Sequence, residues 1–147
     1  AIESITSAPE KHKFAKEAYR ILKPGGRLII ADYFKSDKFK EDPHNLLEKW
    51  QSLWSMAPFL NTNEYGSIFN ECGFILSKNK DVTKNIAPTA KRMYWSYIFG
   101  GPFAVIYNIF NNPSTYARNH YKSGLYQYKA LKLGLWKYKV MLLEKPS

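Results

Sequence analysis

Apolar positions along the chain change period several times, and each change marks an element. Phe14, Ala18, Ile21 and Leu22 follow the i, i+4, i+7, i+8 spacing of one buried helical face. Ahead of them Ser7 stands three residues before Glu10, the spacing of a capping box. Pro9 is tolerated in a first turn that needs no N–H partner. Lys23 suits the helix C-terminus, and Pro24-Gly25-Gly26 ends the helix. "RLIIADY" is too short and too apolar for a surface helix, and predicts a strand buried on both faces. Leu46, Trp50, Leu53, Trp54 and Ala57 form a second helical stripe. Asn61 with Glu64 makes another capping box, opening a helix with Tyr65, Ile68, Phe69 and Cys72 on its face and Gly73 at its end. "FILSKNKDVT" is strand-like. "WKYKVMLLE" alternates Trp136, Tyr138, Val140 and Leu142 against lysines, which predicts a half-exposed final strand. The order of strands and helices is that of an α/β fold.

Residues 85–135 leave this rhythm. "MYWSYIFGGPFAVIYNIF" is uncharged and long enough to be compared with a membrane span. Gly100-Gly101-Pro102 interrupts it and its tyrosines are spread throughout, so a bent helical pair is expected instead. After Pro113 a further helix carries Tyr121, Leu125, Tyr128, Leu131 and Leu135 on one face. No internal repeat is visible.

Composition adds limits. The 147 residues, 45% of them hydrophobic, suffice for one domain with a real core. A single cysteine, Cys72, excludes an internal disulfide and suggests a reducing, cytoplasmic setting. The first residues show no basic-then-apolar leader and no initiating methionine, so a piece of a longer chain is expected. The net charge of +10 is scattered along the sequence, as on a solvated basic surface. His12, His44 and His120 lack metal-ligand spacing, so no metal is expected, and Cys72 has no neighbouring base.

One further pattern carries a family resemblance. "AIESITSAPEKHKFAKEAYRILKPGGRLIIADYF" resembles the second half of a class I S-adenosylmethionine-dependent methyltransferase: a strand ending in an acid, a helix with "EAxRxLKPGG", and the next strand. "LNTNEYGSIFNECGF", "DVTKNIAPTAKRM" and "YQYKALKLGLWKYKVMLLEKP" resemble the small-molecule and lipid C-methyltransferase branch, with sterol and tocopherol methyltransferase relatives. The resemblance implies a partial Rossmann-like sheet of strands 4, 5, 7 and 6, the last strand of the chain antiparallel, with residues 85–135 as a helical lid or insertion. Residues 1–147 would be the acceptor-side half of the domain. Neither Gly25-Gly26 nor Gly100-Gly101 matches the family's donor-binding glycine loop, so S-adenosylmethionine is expected to bind the parent protein and not this half tightly.

The resemblance also nominates residues. Ligands of open α/β sheets bind beyond the carboxyl ends of the strands. Glu3 and Ser4 end the expected strand four. Glu3 would face the acceptor, removing a proton or stabilising a cation, with Ser4 on the cofactor side. Related enzymes often carry a histidine at the position of Ser7, which serine cannot replace as a base; Ser7 is read as a helix cap. Tyr33, Trp50, Trp54, Tyr94, Tyr97 and Tyr107 would line the pocket of a small lipophilic acceptor; Tyr33 could equally be core, packing on the sheet is the leading reading of Trp50 and Trp54, and core packing of the insertion accounts for part of its aromatic residues. The open edge of strand four would pair with the missing half or with a second copy. Two non-enzymatic readings stand beside this one: a basic module stacking single-stranded nucleic acid, the less favoured, and a peripheral membrane contact through residues 93–110.

Overall fold

The computed structural model describes residues 1–38 and 41–147. The chain forms two compact units. One comprises residues 1–38, 57–83 and 136–147; the other, among the described residues, 41–56 and 84–135.

The first unit is built on three strands, β1 (Arg27–Lys35), β2 (Ile75–Asp81) and β3 (Trp136–Glu144), in the order β1-β3-β2. β3 runs antiparallel to both neighbours. Ile2 adds a single parallel bridge to Ala31 on the free side of β1. The arrangement is the 4-5-7-6 order that the resemblance implied, with strand four reduced to one bridge. β3 lies in the middle and has no exposed residue, so it is not the half-exposed strand its lysines predict. The lysines are accommodated by partners. Lys139 is buried and donates to Asp37 and to Thr62 Oγ1 (2.5 Å), while Lys137 pairs with Asp81 at 3.3 Å. β1 is buried only through Ile30, Asp32 and Phe34; Ile29 on the other face is 55% exposed. The exposed strand is β2, an edge guarded by Lys78 and Lys80 and bent by a bulge between Leu76 and Lys78.

Helices α1 (Lys11–Ile21) and α3 (Thr62–Glu71) belong to the same unit. Ala15 and Ala18 of α1, Tyr65 and Phe69 of α3, and Ile30, Phe34, Met141 and Leu143 of the sheet form one core with Ile5 and Phe74. Phe34 and Phe74 meet Tyr65 and Phe69 edge-on, with centroids 5.0 and 5.7 Å apart. The Asn61–Glu64 capping box of α3 is present in full. The Ser7 cap of α1 is not: the helix begins four residues later, with Glu10 as an N-cap that makes no side-chain bond. Residues 5–7 are drawn into turns because a buried carboxylate, described below, takes the N–H groups of Ile5 and Thr6. Gly73 ends α3's segment with φ +95°, and a Cβ there would lie 2.9 Å from the Tyr19 ring. Gly73→Ala is therefore expected to cost about 1–3 kcal/mol, from a left-handed backbone and an overfilled contact together, measured by urea unfolding.

The second unit is helical: α2 (Leu46–Leu53), α4 (Thr83–Asn111, whose first residue belongs to the sheet unit), α5 (Thr115–His120) and α6 (Ser123–Lys132). α2 buries Leu46, Leu47 and Trp50, but Trp54 and Ala57 fall beyond its end. α4 is one helix and not a bent pair: Gly100, Gly101 and Pro102 continue it, and it stops only before Asn112 (φ +39°) and Pro113. Proline removes one donor without obliging the helix to end. The single helix expected after Pro113 is divided into α5 and α6, and Leu135 lies outside both. A Cβ on Gly124 would meet the Met93 carbonyl oxygen at 2.4 Å, so glycine is what allows α6 to approach the α4 backbone.

Candidate active site

Asp32 organises the end of β1. Fully buried, its carboxylate accepts from Ile5 N (2.9 Å), Thr6 N (3.2 Å), Thr6 Oγ1 (2.9 Å) and its neighbour Tyr33 N (2.7 Å). Four donors on one carboxylate are the compensation that a buried charge requires. Lys11 reinforces the same loop by donating to the carbonyls of Ile5 and of Ala8 (2.6 Å). Burial lowers the Lys11 pKa from the usual 10.5 to about 8, against the opposing pull of Asp32. Between pH 8 and 10 the folded protein binds fewer protons here than the unfolded chain, so stability contributed at this site rises with pH. Urea unfolding at pH 7, 8, 9 and 10 should show that rise in the wild type and a smaller one in Lys11→Met.

The loop so anchored presents Glu3. Its N–H donates to Ala31 O (2.9 Å), and its backbone adopts φ +47°, a costly conformation for a residue with a side chain. The Glu3 side chain is exposed, and its Oε1 accepts from Tyr138 OH (3.1 Å) and Tyr33 OH (3.5 Å). Tyr33 and Tyr138 are directly paired across β1 and β3, their rings 5.0 Å apart and perpendicular. Trp136 and Phe59 complete an aromatic wall around Tyr33, at 5.3 and 6.0 Å. Burial, then the charge and hydrogen bond of Glu3, push the Tyr138 hydroxyl well above its ordinary pKa, so it remains a donor. The arrangement is a solvent-facing carboxylate oriented by two phenols beside an apolar wall, at the carboxyl end of a strand. It can accept a proton or stabilise a positive charge.

Of the residues nominated from sequence, Glu3 and Tyr33 are brought together. Ser4 is exposed, and its carbonyl accepts from Ser7 N (3.2 Å). The remaining five are in the helical unit. Trp50 is buried, and Trp54 is partly exposed against His120 (5.3 Å), whose Nδ1 lies 2.9 Å from the Leu53 carbonyl. Tyr94 meets Tyr128 at 5.0 Å beside a cavity of about 460 Å³ lined also by His44, Leu46, Lys129 and Lys132. Tyr97 stacks on Tyr121 at 5.9 Å, and Tyr107 is exposed. Tyr138 was missed as a site residue, since only the strand register reveals that it faces Tyr33. Asp32 was visible as a strand-end acid, but nothing in the sequence reports its four donors. Gly25 and Gly26 lead from a helix into a strand, and Gly100 and Gly101 lie inside α4, so neither pair forms a strand-to-helix cradle for a nucleotide.

No protein-family model matches the chain. Several solved structures are similar to it over nearly its whole length. One is phosphoethanolamine N-methyltransferase 2 of Haemonchus contortus in complex with phosphomonomethylethanolamine and S-adenosylhomocysteine (TM-score 0.70, 15% identity, 99% of this chain and 32% of that one). Another is geranyl diphosphate C-methyltransferase of Streptomyces coelicolor (TM-score 0.68, 12% identity, 98% and 45%). The fold is that of class I methyltransferases. Sequence relatives agree: methyltransferase GfsG of Streptomyces halstedii is 28% identical over 89 residues, 60% of this chain and 32% of the relative. Sterol 24-C-methyltransferase of Saccharomyces cerevisiae is 25% identical over 124 residues, 82% and 31%. The chain thus spans about a third of the length of the curated relatives it matches. The sheet unit is the part of a class I methyltransferase sheet comprising its fourth to seventh strands.

Proposed function

We propose that this chain is the acceptor-side half of an S-adenosylmethionine-dependent methyltransferase acting on a small lipophilic acceptor. A fold alone does not specify chemistry, and the observation that carries the reading is the Glu3 carboxylate. It is held in a left-handed backbone conformation at a strand end, with two tyrosine hydroxyls on one oxygen. Bound to the whole protein, S-adenosylmethionine supplies an activated methyl group, so the polypeptide contributes alignment and exclusion of water. In this chain Tyr138 and Tyr33 orient Glu3, which takes the acceptor's proton or stabilises positive charge on it. The Tyr33, Phe59 and Trp136 rings provide the apolar wall beside it. The donor-binding half pairs along the outer edge of Ile2, which is 76% exposed.

Calorimetry against S-adenosylhomocysteine tests this division. The full-length protein should bind in the micromolar range, and the 147-residue chain more weakly than about 1 mM. Micromolar binding by the chain alone overturns its assignment to the acceptor side, and absence of binding by the full-length protein overturns the methyltransferase reading.

A further inference from the structure

Helix α4 is apolar on the side that faces away from its neighbours. One face packs: Tyr94 meets Tyr128, Tyr97 stacks on Tyr121, Gly101 is buried, and Asn108 donates to the Arg118 carbonyl (2.9 Å). The opposite face carries Trp95, Phe99, Phe103, Ile106 and Phe110, spaced i, i+4, i+8, i+11, i+15. All five are exposed, Phe99 at 68%, Phe103 at 74% and Phe110 at 81%. Trp95 and Phe99 stack on each other at 5.6 Å, out in solvent. Ile98, Val105 and Ile109 widen the stripe, which is about 24 Å long at 1.5 Å per residue. A helix apolar all round is ordinarily buried, and an exposed patch of this extent marks a contact surface.

Charge identifies what the surface contacts. Between Lys84 and Leu135 the chain has no aspartate or glutamate, while lysine and arginine recur. Lys91 and Arg92 stand one turn before Trp95. At the other end Arg118 and Lys122 line a shallow groove with Val105 and Ile109. The apolar stripe is therefore bracketed by cations, and the segment that carries it contributes no anion. A second copy of the chain would bring two such segments together without a counter-charge, and Ile98, Val105, Ile106 and Ile109 offer nucleic acid bases no ring to stack on. No helix among the described residues is long and apolar enough to cross a membrane.

We propose that α4 is an interfacial anchor. Its Trp95–Phe110 face enters the outer layer of a bilayer rich in anionic lipid, while Lys91, Arg92, Arg118 and Lys122 engage the headgroups. This inference does not depend on the reaction catalysed. The same anchor would hold the protein where a lipophilic acceptor is dissolved.

The test is vesicle co-sedimentation of the full chain with phosphatidylcholine alone and with phosphatidylcholine containing phosphatidylserine. Binding to the anionic vesicles should be roughly tenfold tighter or more, and should weaken with salt. The triple substitution Phe99→Ser, Phe103→Ser, Phe110→Ser should lower binding to anionic vesicles by roughly tenfold or more. Lys91→Gln, Arg92→Gln, Arg118→Gln should remove the anionic preference. These side chains are exposed, and an unchanged melting curve confirms that the fold is kept. The proposal is overturned if neither vesicle binds or if the phenylalanine variant binds like wild type. It is equally overturned if sedimentation velocity shows a dimer that this variant abolishes, or if an oligonucleotide binds and vesicles do not.

Discussion

Asp32→Ala is expected to destabilise the protein by about 3–5 kcal/mol, a large part of the stability of a typical domain. The carboxylate is fully buried and accepts from Ile5 N, Thr6 N, Thr6 Oγ1 and Tyr33 N. Truncation leaves three donors from residues 5 and 6 without their acceptor, and an unsatisfied buried donor costs roughly 1–3 kcal/mol. Asp32→Asn keeps one acceptor oxygen and should lose about half as much. Urea unfolding gives the magnitude. Hydrogen exchange gives the location: the Ile5 and Thr6 amides should lose protection while the Ile30 and Met141 amides in the β1–β3 ladder keep theirs at low denaturant. An alanine variant within about 1 kcal/mol of wild type would show that the loop is held by something else.

The second large effect concerns activity. In the full-length protein, Glu3→Gln should lower kcat by roughly 10²–10⁴-fold, the range attributable to a positioned proton acceptor, with donor affinity unchanged. Tyr138→Phe should have a smaller effect of about tenfold, because it removes one of two phenols that orient the carboxylate. A Glu3→Gln enzyme with wild-type kcat would remove Glu3 from the chemistry while leaving the fold assignment intact.

The sheet unit also has an acid-sensitive clasp. Burial raises the Asp37 pKa, but hydrogen bonds from Lys139 and Thr62 outweigh it and hold the carboxyl below its usual value. The clasp's contribution is therefore present above the unfolded carboxylate pKa and is lost as pH falls through the lower, folded value. Asp37→Asn should flatten that acid limb in unfolding measurements between pH 5 and about 2.

Much of the chain was legible because the determinants are local. The Asn61–Glu64 capping box acts over three residues and is present as written. The turn at Pro24-Gly25-Gly26 follows from proline's missing donor and from Gly25 at φ +74°. The residues that follow extend as β1, so helix, turn and strand came in the expected order. Glu3 and Tyr33 could be nominated together because strand ends in such sheets share one side.

What misled the reading was non-local. Ser7 had the correct spacing for a cap, yet the buried Asp32, some 25 residues away in sequence, competes for the same stretch and delays α1 to Lys11. The lysines of β3 suggested a wet face, but Lys139 finds Asp37 and Thr62, and the strand occupies the centre of the sheet. Gly100-Gly101-Pro102 predicted a break, but Gly101 packs against Tyr121 and the helix runs through.

The order of α1, β1, α3, β2 and β3, the α3 cap and the acidic strand end were set by contacts within a few residues, which any window of sequence displays. Register was set otherwise: a strand pattern of period two is satisfied by many pairings, and only the packed sheet chose the one that places Tyr138 opposite Tyr33 and both hydroxyls on Glu3. The outward face of α4 was likewise decided in three dimensions. An all-apolar helix has no preferred side until its neighbours occupy one, and what they leave uncovered is the stripe from Trp95 to Phe110.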